Sequence, residues 1–249
     1  MVNTRKVQGE PVWLLHQREF RETSRIVDFF SRDYGRVALF ARGIRTSRSL
    51  SAALLQPFQP LVIAWQGSGD GGRLTSVESI EPPINVAPAC RMAGFYMNEL
   101  VLKLLTREDP HPDIFEHYSS ALRSLSRVEE QARTLRLFEK RLLEALGVLP
   151  DFSQNNRTGV AVRADAVYHV RPGQGVLDEA TTGLTTGPTV QTGAALLALA
   201  QEQLDDPRWA EPIRQLLAAC IDLALDGNEL KTRVVAHTVR AFERATKET

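Results

Sequence analysis

The sequence predicts an α+β chain, an all-β module followed by a mainly helical remainder. Three observations carry this. Short runs of β-branched and aromatic residues punctuated by turn signals fill the first part. Pro82-Pro83 and Pro88 then break the pattern. After them the apolar residues recur at helical spacing. The expected domains are 1–81 and 82–249.

The elements follow in order. Val12-Trp13-Leu14-Leu15 reads as a short first strand. Ile26-Val27-Asp28-Phe29-Phe30 and Val37-Ala38-Leu39-Phe40 read as the second and third, joined by the turn signal Asp33-Tyr34-Gly35. Leu61-Val62-Ile63-Ala64-Trp65 is a fourth, closed by the glycine cluster Gly67 to Gly72. Leu74 to Ile80 alternates and makes a fifth. Five short strands suit a small closed barrel, and the OB-fold is the common five-stranded one. Beyond the prolines, Met92, Phe95, Tyr96, Leu100 and Leu104 mark one helix. Ile114, Tyr118, Ala121, Leu122 and Leu125 mark a second. Leu135, Phe138, Leu142, Leu143 and Leu146 mark a third, stopped by Gly147 and Pro150. Residues 151–188, rich in Gly, Thr and Asn, read as an irregular insertion with a possible β-hairpin. Helices are expected again at Val190–Leu204, Ile213–Leu225 and Val234–Ala245, with Pro212 in the first turn of the middle one.

The chain has no net charge, but the charge is unevenly placed. The first fifty residues hold ten bases and five acids, so the remainder carries the balancing excess of acid. A basic module joined to a mildly acidic one is compatible with a polyanion partner at one end. No apolar run is long enough for a membrane span, and Met1 to Glu10 lacks the apolar stretch of a signal peptide. A cytoplasmic, non-membrane protein is expected. The two cysteines, Cys90 and Cys220, lie far apart and read as buried apolar residues.

Several chemistries are missing. There is no G-x-x-x-x-G-K-[ST], no G-x-S-x-G and no H-E-x-x-H. The Gly67–Gly72 cluster leads into a strand and lacks the Lys of a phosphate cradle. The five histidines are scattered, and the paired carboxylates fall at helix edges or loops. Neither a catalytic constellation nor a metal or cofactor site is expected.

What stands out is Ala41-Arg42-Gly43-Ile44-Arg45-Thr46-Ser47-Arg48-Ser49. Three arginines at three-residue spacing, with small hydroxyl residues between, can follow a phosphate backbone through forked donors. Arg25, Arg36 and Arg73 flank this loop on neighbouring strands. Barrels that bind single strands combine such a basic groove with exposed aromatics on which bases stack. Tyr34, beside a turn glycine, is the stacking candidate; Phe40 and Trp65 end apolar runs and read as core. The expected DNA-binding set is Arg25, Tyr34, Arg36, Arg42, Arg45, Arg48 and Arg73.

The order of motifs resembles the RecO family of recombination mediators. The resemblance runs through Arg21-Glu22-Thr23-Ser24, Gly35-Arg36, and Ala41-Arg42-Gly43 with Arg45 and Arg48. It continues through Leu55-Gln56-Pro57-Phe58-Gln59-Pro60-Leu61 and Tyr96-Met97-Asn98-Glu99-Leu100. Leu135-Arg136-Leu137-Phe138-Glu139, Leu146-Gly147, Asp151-Phe152 and Leu230-Lys231-Thr232-Arg233 complete it. It implies an OB domain, a helical bundle and no enzymatic activity. It further implies binding of single- and double-stranded DNA, strand annealing, and work with RecR. Members help load RecA onto DNA coated by single-strand-binding protein, and contact that protein's acidic C-terminal tail. The resemblance places Arg136 in that contact, with Arg133 and Lys140 beside it. Many members carry a four-cysteine zinc module after the Asp-Phe motif; here Ser153, Gln154, Asn155 and Asn156 follow, so no zinc is expected. Such a segment, held by packing alone, is expected to be mobile. A bacterial, nucleoid-associated protein is implied. Fold alone would equally suit an RNA-binding or ribosome-associated OB protein.

Overall fold

A computed structural model describes residues 6–20, 24–42, 53–67, 71–179, 189–236 and 238. The chain divides into two compact units, Met1–Val128 with Leu230–Thr249, and Glu129–Glu229. The first of these compact units takes in the first two long helices together with the N-terminal sheet.

The first unit contains β1 (Lys6–Phe20), β2 (Ser24–Ser31), β3 (Gly35–Arg42), β4 (Pro60–Gln66) and β5 (Gly72–Ser79). β1 is far longer than the run Val12–Leu15 suggested, because it serves two neighbours. Its first half pairs with β4 and its second half with β2, both antiparallel. Gly9, at φ +68°, sits where the β1–β4 register shifts, a backbone that glycine adopts without strain. The strand order is β1-β2-β3-β5-β4, and β4 returns to β1. Val12, Leu14, Val27, Phe29, Val37, Leu39, Leu61, Ile63 and Trp65 fill the interior.

The expected OB barrel needs correction at its seam. β3 and β5 meet only at Leu39–Gly72 and Phe40–Arg73, and in parallel. The five strands therefore close on themselves only through one short parallel seam of two residue pairs, where the other four ladders are antiparallel and longer. The seam is tight because Gly72 has no side chain: a Cβ there would lie 2.6 Å from Leu39 Cδ2.

α1 (Arg91–Leu104) and α2 (Pro112–Ser124) cover one end of the sheet's outer face. There Trp13 and Phe30 are a cross-strand pair, and both rings meet Tyr118 at centroid distances of 5.8 and 6.0 Å. Trp13 Nε1 donates to Ser119 Oγ at 2.8 Å. A register shift between Leu14 and His16 frees two strand carbonyls. The buried Asn98 amide donates to both, Leu14 O at 3.4 Å and Leu15 O at 3.1 Å, and its oxygen accepts from Tyr118. Burial raises the Tyr118 phenol pKa, so it stays a donor.

Glu99, next to Asn98, serves the opposite side of α1. Its carboxylate accepts from Lys231 N, Thr232 N and Thr232 Oγ1 at 2.8, 2.8 and 2.6 Å. Residues 231–236 are helical, so Glu99 caps their exposed N–H groups from outside the helix.

The second unit holds α3 (Gln131–Ala145), β6 (Val167–Arg171), β7 (Gly175–Glu179), β8 (Val190–Thr192), α4 (Gly193–Ala200) and α5 (Pro207–Ala224). The β-hairpin suggested within the 151–188 insertion is present as β6 and β7, and it gains a third strand. β6 pairs antiparallel with β7 and β8, making a sheet of order β7-β6-β8. Val190 thus opens a strand where a helix was expected. α5 starts at Pro207, capped by Asp206, which places Pro212 inside the helix and not in its first turn.

Candidate nucleic-acid interface

Partners across a ladder point to one face of a sheet. Following register outward, Arg18 lies opposite Ile26, Ile26 opposite Phe40, and Phe40 opposite Arg73. Arg73 in turn lies opposite Gln66, and Gln66 opposite Lys6. The next row is Phe20, Ser24 and Arg42. All are on the face turned away from Val27, Leu39 and Ala41, which belong to the core.

Arg18, Arg42, Arg73 and Lys6 are exposed; Ile26, Phe20 and Phe40 are half-buried. Among the described residues, no ion pair engages Arg18, Arg42 or Arg73. The Phe20 and Phe40 rings are 5.2 Å apart and tilted by 55°. In the adjoining row, Asp28 faces His16 Nδ1 at 3.9 Å and Arg107 Nη2 at 3.8 Å, so its carboxylate lies between an imidazole and a guanidinium. The result is a patch of guanidinium and ammonium groups around two aromatic rings.

The structure brings together only part of the expected DNA-binding set. Arg42 and Arg73 lie in the patch. Arg25 lies on the opposite, core-side face and donates to Gln17 Oε1 at 3.0 Å. Arg36 shares a face with Arg42 but is tied down, donating from Nη1 to Leu105 O at 2.6 Å. Burial first, then the nearby Arg107, lowers the Arg36 pKa from the usual arginine value. Tyr34 is in the turn at the other end of the β2–β3 hairpin. Its ring packs edge-on to Trp65 at 5.1 Å, and the adjacent cavity of about 90 Å³ also carries Asp33 and Glu108. Arg45 and Arg48 lie outside the described residues.

Three members of the patch were missed: Lys6, Arg18 and Phe20. The signal for two of them was present in Gln17-Arg18-Glu19-Phe20, whose alternation puts Arg18 and Phe20 on one face once the strand extends to Phe20. Ending the first strand at Leu15 hid it.

In the second unit, Arg133, Arg136 and Lys140 all lie on α3. Arg133 Nε meets Asp205 at 3.0 Å, and both side chains are well exposed. Arg136 Nη2 donates to Glu139 Oε1 at 2.6 Å, while its buried Nε has no hydrogen-bond partner among the described residues. Lys140 Nζ lies 2.8 Å from Glu144 and 3.2 Å from Glu202. Glu202 also takes two bonds from Arg141. Those hydrogen bonds from Arg141, then from Lys140, outweigh burial and hold the Glu202 carboxyl down at about 2.

The segment after Asp151-Phe152 does not fit a zinc ion. Its side chains offer oxygens and amides, and these serve the backbone. Asp151 Oδ1 accepts from Ser153 N and Oγ at 2.8 and 2.6 Å. Asn155 Oδ1 accepts from Arg157 N and Thr158 N, both at 2.9 Å. Asn156 Oδ1 accepts from Val176 N at 2.8 Å. A Cβ on Gly175 would lie 2.1 Å from Asn156 Oδ1, so this hydrogen bond requires glycine. The segment is held by hydrogen bonds as well as packing. Among the described residues, no group of three His, Cys, Asp or Glu could hold a metal ion. None of the described helices is long and apolar enough to cross a membrane.

Comparison with known proteins covers nearly the whole chain. A family model described as Recombination protein O N terminal matches residues 10–83, and one described as Recombination protein O C terminal matches residues 92–233. The chain is 38% identical to the DNA repair protein RecO of Laribacter hongkongensis over 240 residues, 95% of this chain and 97% of that one. It is 38% identical to the DNA repair protein RecO of Halorhodospira halophila over 236 residues, 94% and 98% of the two chains. Against the DNA repair protein RecO of Cupriavidus metallidurans, identity is 35% over 230 residues, 92% and 77% of the two chains.

Proposed function

The chain belongs to the recombination protein O family, whose members serve DNA repair and recombination without catalysing a reaction, and we propose that it is a cytoplasmic recombination mediator whose open sheet face holds DNA. The observation that supports this is the row Arg18, Ile26, Phe40 and Arg73 with Arg42 beside it. Cations on three strands, β1, β3 and β5, can neutralise several phosphates of one backbone at once, without reading its sequence. A surface of that kind suits both single and double strands, and annealing needs a protein that holds each. In this reading the chain acts with RecR to load RecA onto DNA coated by single-strand-binding protein.

The same reading gives α3 a part: Arg133, Arg136 and Lys140 take the acidic C-terminal tail of the coating protein. The support is Arg136, whose buried Nε has no partner among the described residues, and Arg133, whose exposed pairing with Asp205 costs little to exchange. A tail carboxylate would take the place of Asp205.

The test is fluorescence anisotropy of a labelled single strand, titrated at several salt concentrations. Arg18→Ala, Arg42→Ala and Arg73→Ala combined should weaken binding at every salt concentration and flatten the salt slope by roughly two to three, about one per lost phosphate contact. An unchanged affinity and slope would remove this face from DNA binding. A binding site for the coating protein's tail on α3 predicts that Arg136→Ala leaves bare-strand affinity intact and weakens the complex on coated DNA.

A further inference from the structure

Phe20 and Phe40 are odd residues for the outer face of a sheet. Each is half-buried, so part of each ring stays at the surface. Their surroundings are cationic. Phe40 has Arg73 as its neighbour across one seam and Ile26 across the other, with Arg18 one strand further. Arg42 follows two residues along the same strand, on the same face. Neighbouring strands lie about 4.8 Å apart, so Arg18 and Arg73 flank the ring over about 14 Å.

Cations alone do not distinguish a single strand from a duplex, since both offer phosphates. Rings do. In a duplex the faces of the bases are stacked on one another and closed to a protein side chain. In a single strand they are open, and any base has a π-face that can stack on an aromatic ring. A strand whose phosphates meet Arg18, Arg42 and Arg73 has its bases within reach of Phe40 and Phe20.

Resting on the DNA-binding reading above, we infer that Phe40, with Phe20 beside it, is a base-stacking platform that gives this face its preference for single-stranded over double-stranded DNA. The platform adds affinity only where base faces are open. The arginines supply the part of the affinity that both forms of DNA share.

The experiment uses the full chain carrying Phe40→Leu, which keeps apolar volume on the strand and removes the π-face. Phe20→Leu, on a different strand, is the second variant. Binding is measured by anisotropy to three labelled probes at one salt concentration: a single strand, the duplex of the same sequence, and a single strand of abasic sites. Loss of one stacked base should weaken single-strand binding roughly tenfold. Duplex binding should stay unchanged, and on the abasic strand the variants should equal the parent. A loss of equal size on all three probes, or no loss on the normal single strand in either variant, would overturn the platform. Those outcomes are separable from failure of the DNA reading: there, the combined arginine variant binds every probe as the parent does.

Discussion

The outer face of β1, β2 and β3 has two halves built on the same strands. In one half the cross-strand row is Trp13, Phe30 and Arg36. In the other the rows are Arg18, Ile26 and Phe40, then Phe20, Ser24 and Arg42. The first half is roofed by α1 and α2, and polar groups there are bonded within the fold. Trp13 Nε1 meets Ser119, Arg36 meets Leu105 O, and Asn98 answers the two carbonyls freed at the register shift. In the second half, the described residues offer the cations no counter-charge. Both halves therefore hold arginine on one strand, Arg36 and Arg42, six residues apart and on the same face. What separates a tied-down arginine from an open one here is the roof, not the residue type.

The largest way to break this contrast is to remove the polar pin under the roof. Asn98→Leu leaves Leu14 O, Leu15 O and the Tyr118 hydroxyl buried with one partner fewer. Each buried group left without a partner costs about 1–3 kcal/mol, so the variant should lose about 2–4 kcal/mol of unfolding free energy. Urea denaturation measures this; a change under 1 kcal/mol would mean that water or a shifted helix satisfies those carbonyls. Arg36→Ala should cost about 1.5–3 kcal/mol, because it removes a charged donor from a buried carbonyl. Its salt slope for DNA binding should match the parent's. A flattened slope instead would mean that Arg36 reaches the phosphate backbone after all.

Arg42→Ala is the mirror case. Surface changes of this kind alter stability by about 0.5 kcal/mol or less. The DNA salt slope should drop by about 0.9, the value for one phosphate contact on a duplex. If Arg42→Ala destabilises the fold and leaves the slope intact, the two arginines have been assigned the wrong way round.

How far this was legible depended on period more than on composition. The alternation of β2 and β3 and the spacing in α2 are strong patterns, and Ile114, Tyr118, Ala121 and Leu122 are buried as that spacing requires. α1 was read in a partly shifted phase. Leu100 is buried as its spacing requires, but Met92 and Phe95, read into the same stripe, are 40% and 38% exposed, while Ala93, Gly94, Met97 and Val101 face inward. Gly94 explains the shift: Phe58 packs so close that a Cβ at residue 94 would lie 2.7 Å from its ring. A small residue placed for close approach carries no weight in a hydrophobic count. The candidate site suffered from a different blind spot. Arginine spacing in sequence pointed to one loop, whereas the patch is assembled across strands by register, which no local spacing reveals. Arg18 and Arg73 are fifty-five positions apart and still share a row.

The finest test concerns the motif residue beside Asn98. Burial alone would raise the Glu99 pKa, but its hydrogen bonds from Thr232 and Lys231, helped by the charge of Lys103, hold it below its ordinary value of 4.5. A carboxyl depressed in the folded state contributes stability that is complete above 4.5 and is lost as pH falls through the lower, folded value. The first unit should thus weaken on acidification below that point, and Glu99→Gln should flatten this part of the pH profile. At neutral pH the substitution should cost at most about 1 kcal/mol, the usual worth of a cap, because the site is only half-buried and solvent screens it. Hydrogen exchange at Lys231 and Thr232 is the sensitive readout: both amides should exchange faster in the variant while the amides of β2 and β3 do not. Equal speeding in the strands would show that Glu99 supports the whole roof, and the contrast between covered and open halves would then extend to the C-terminal helix that Glu99 caps.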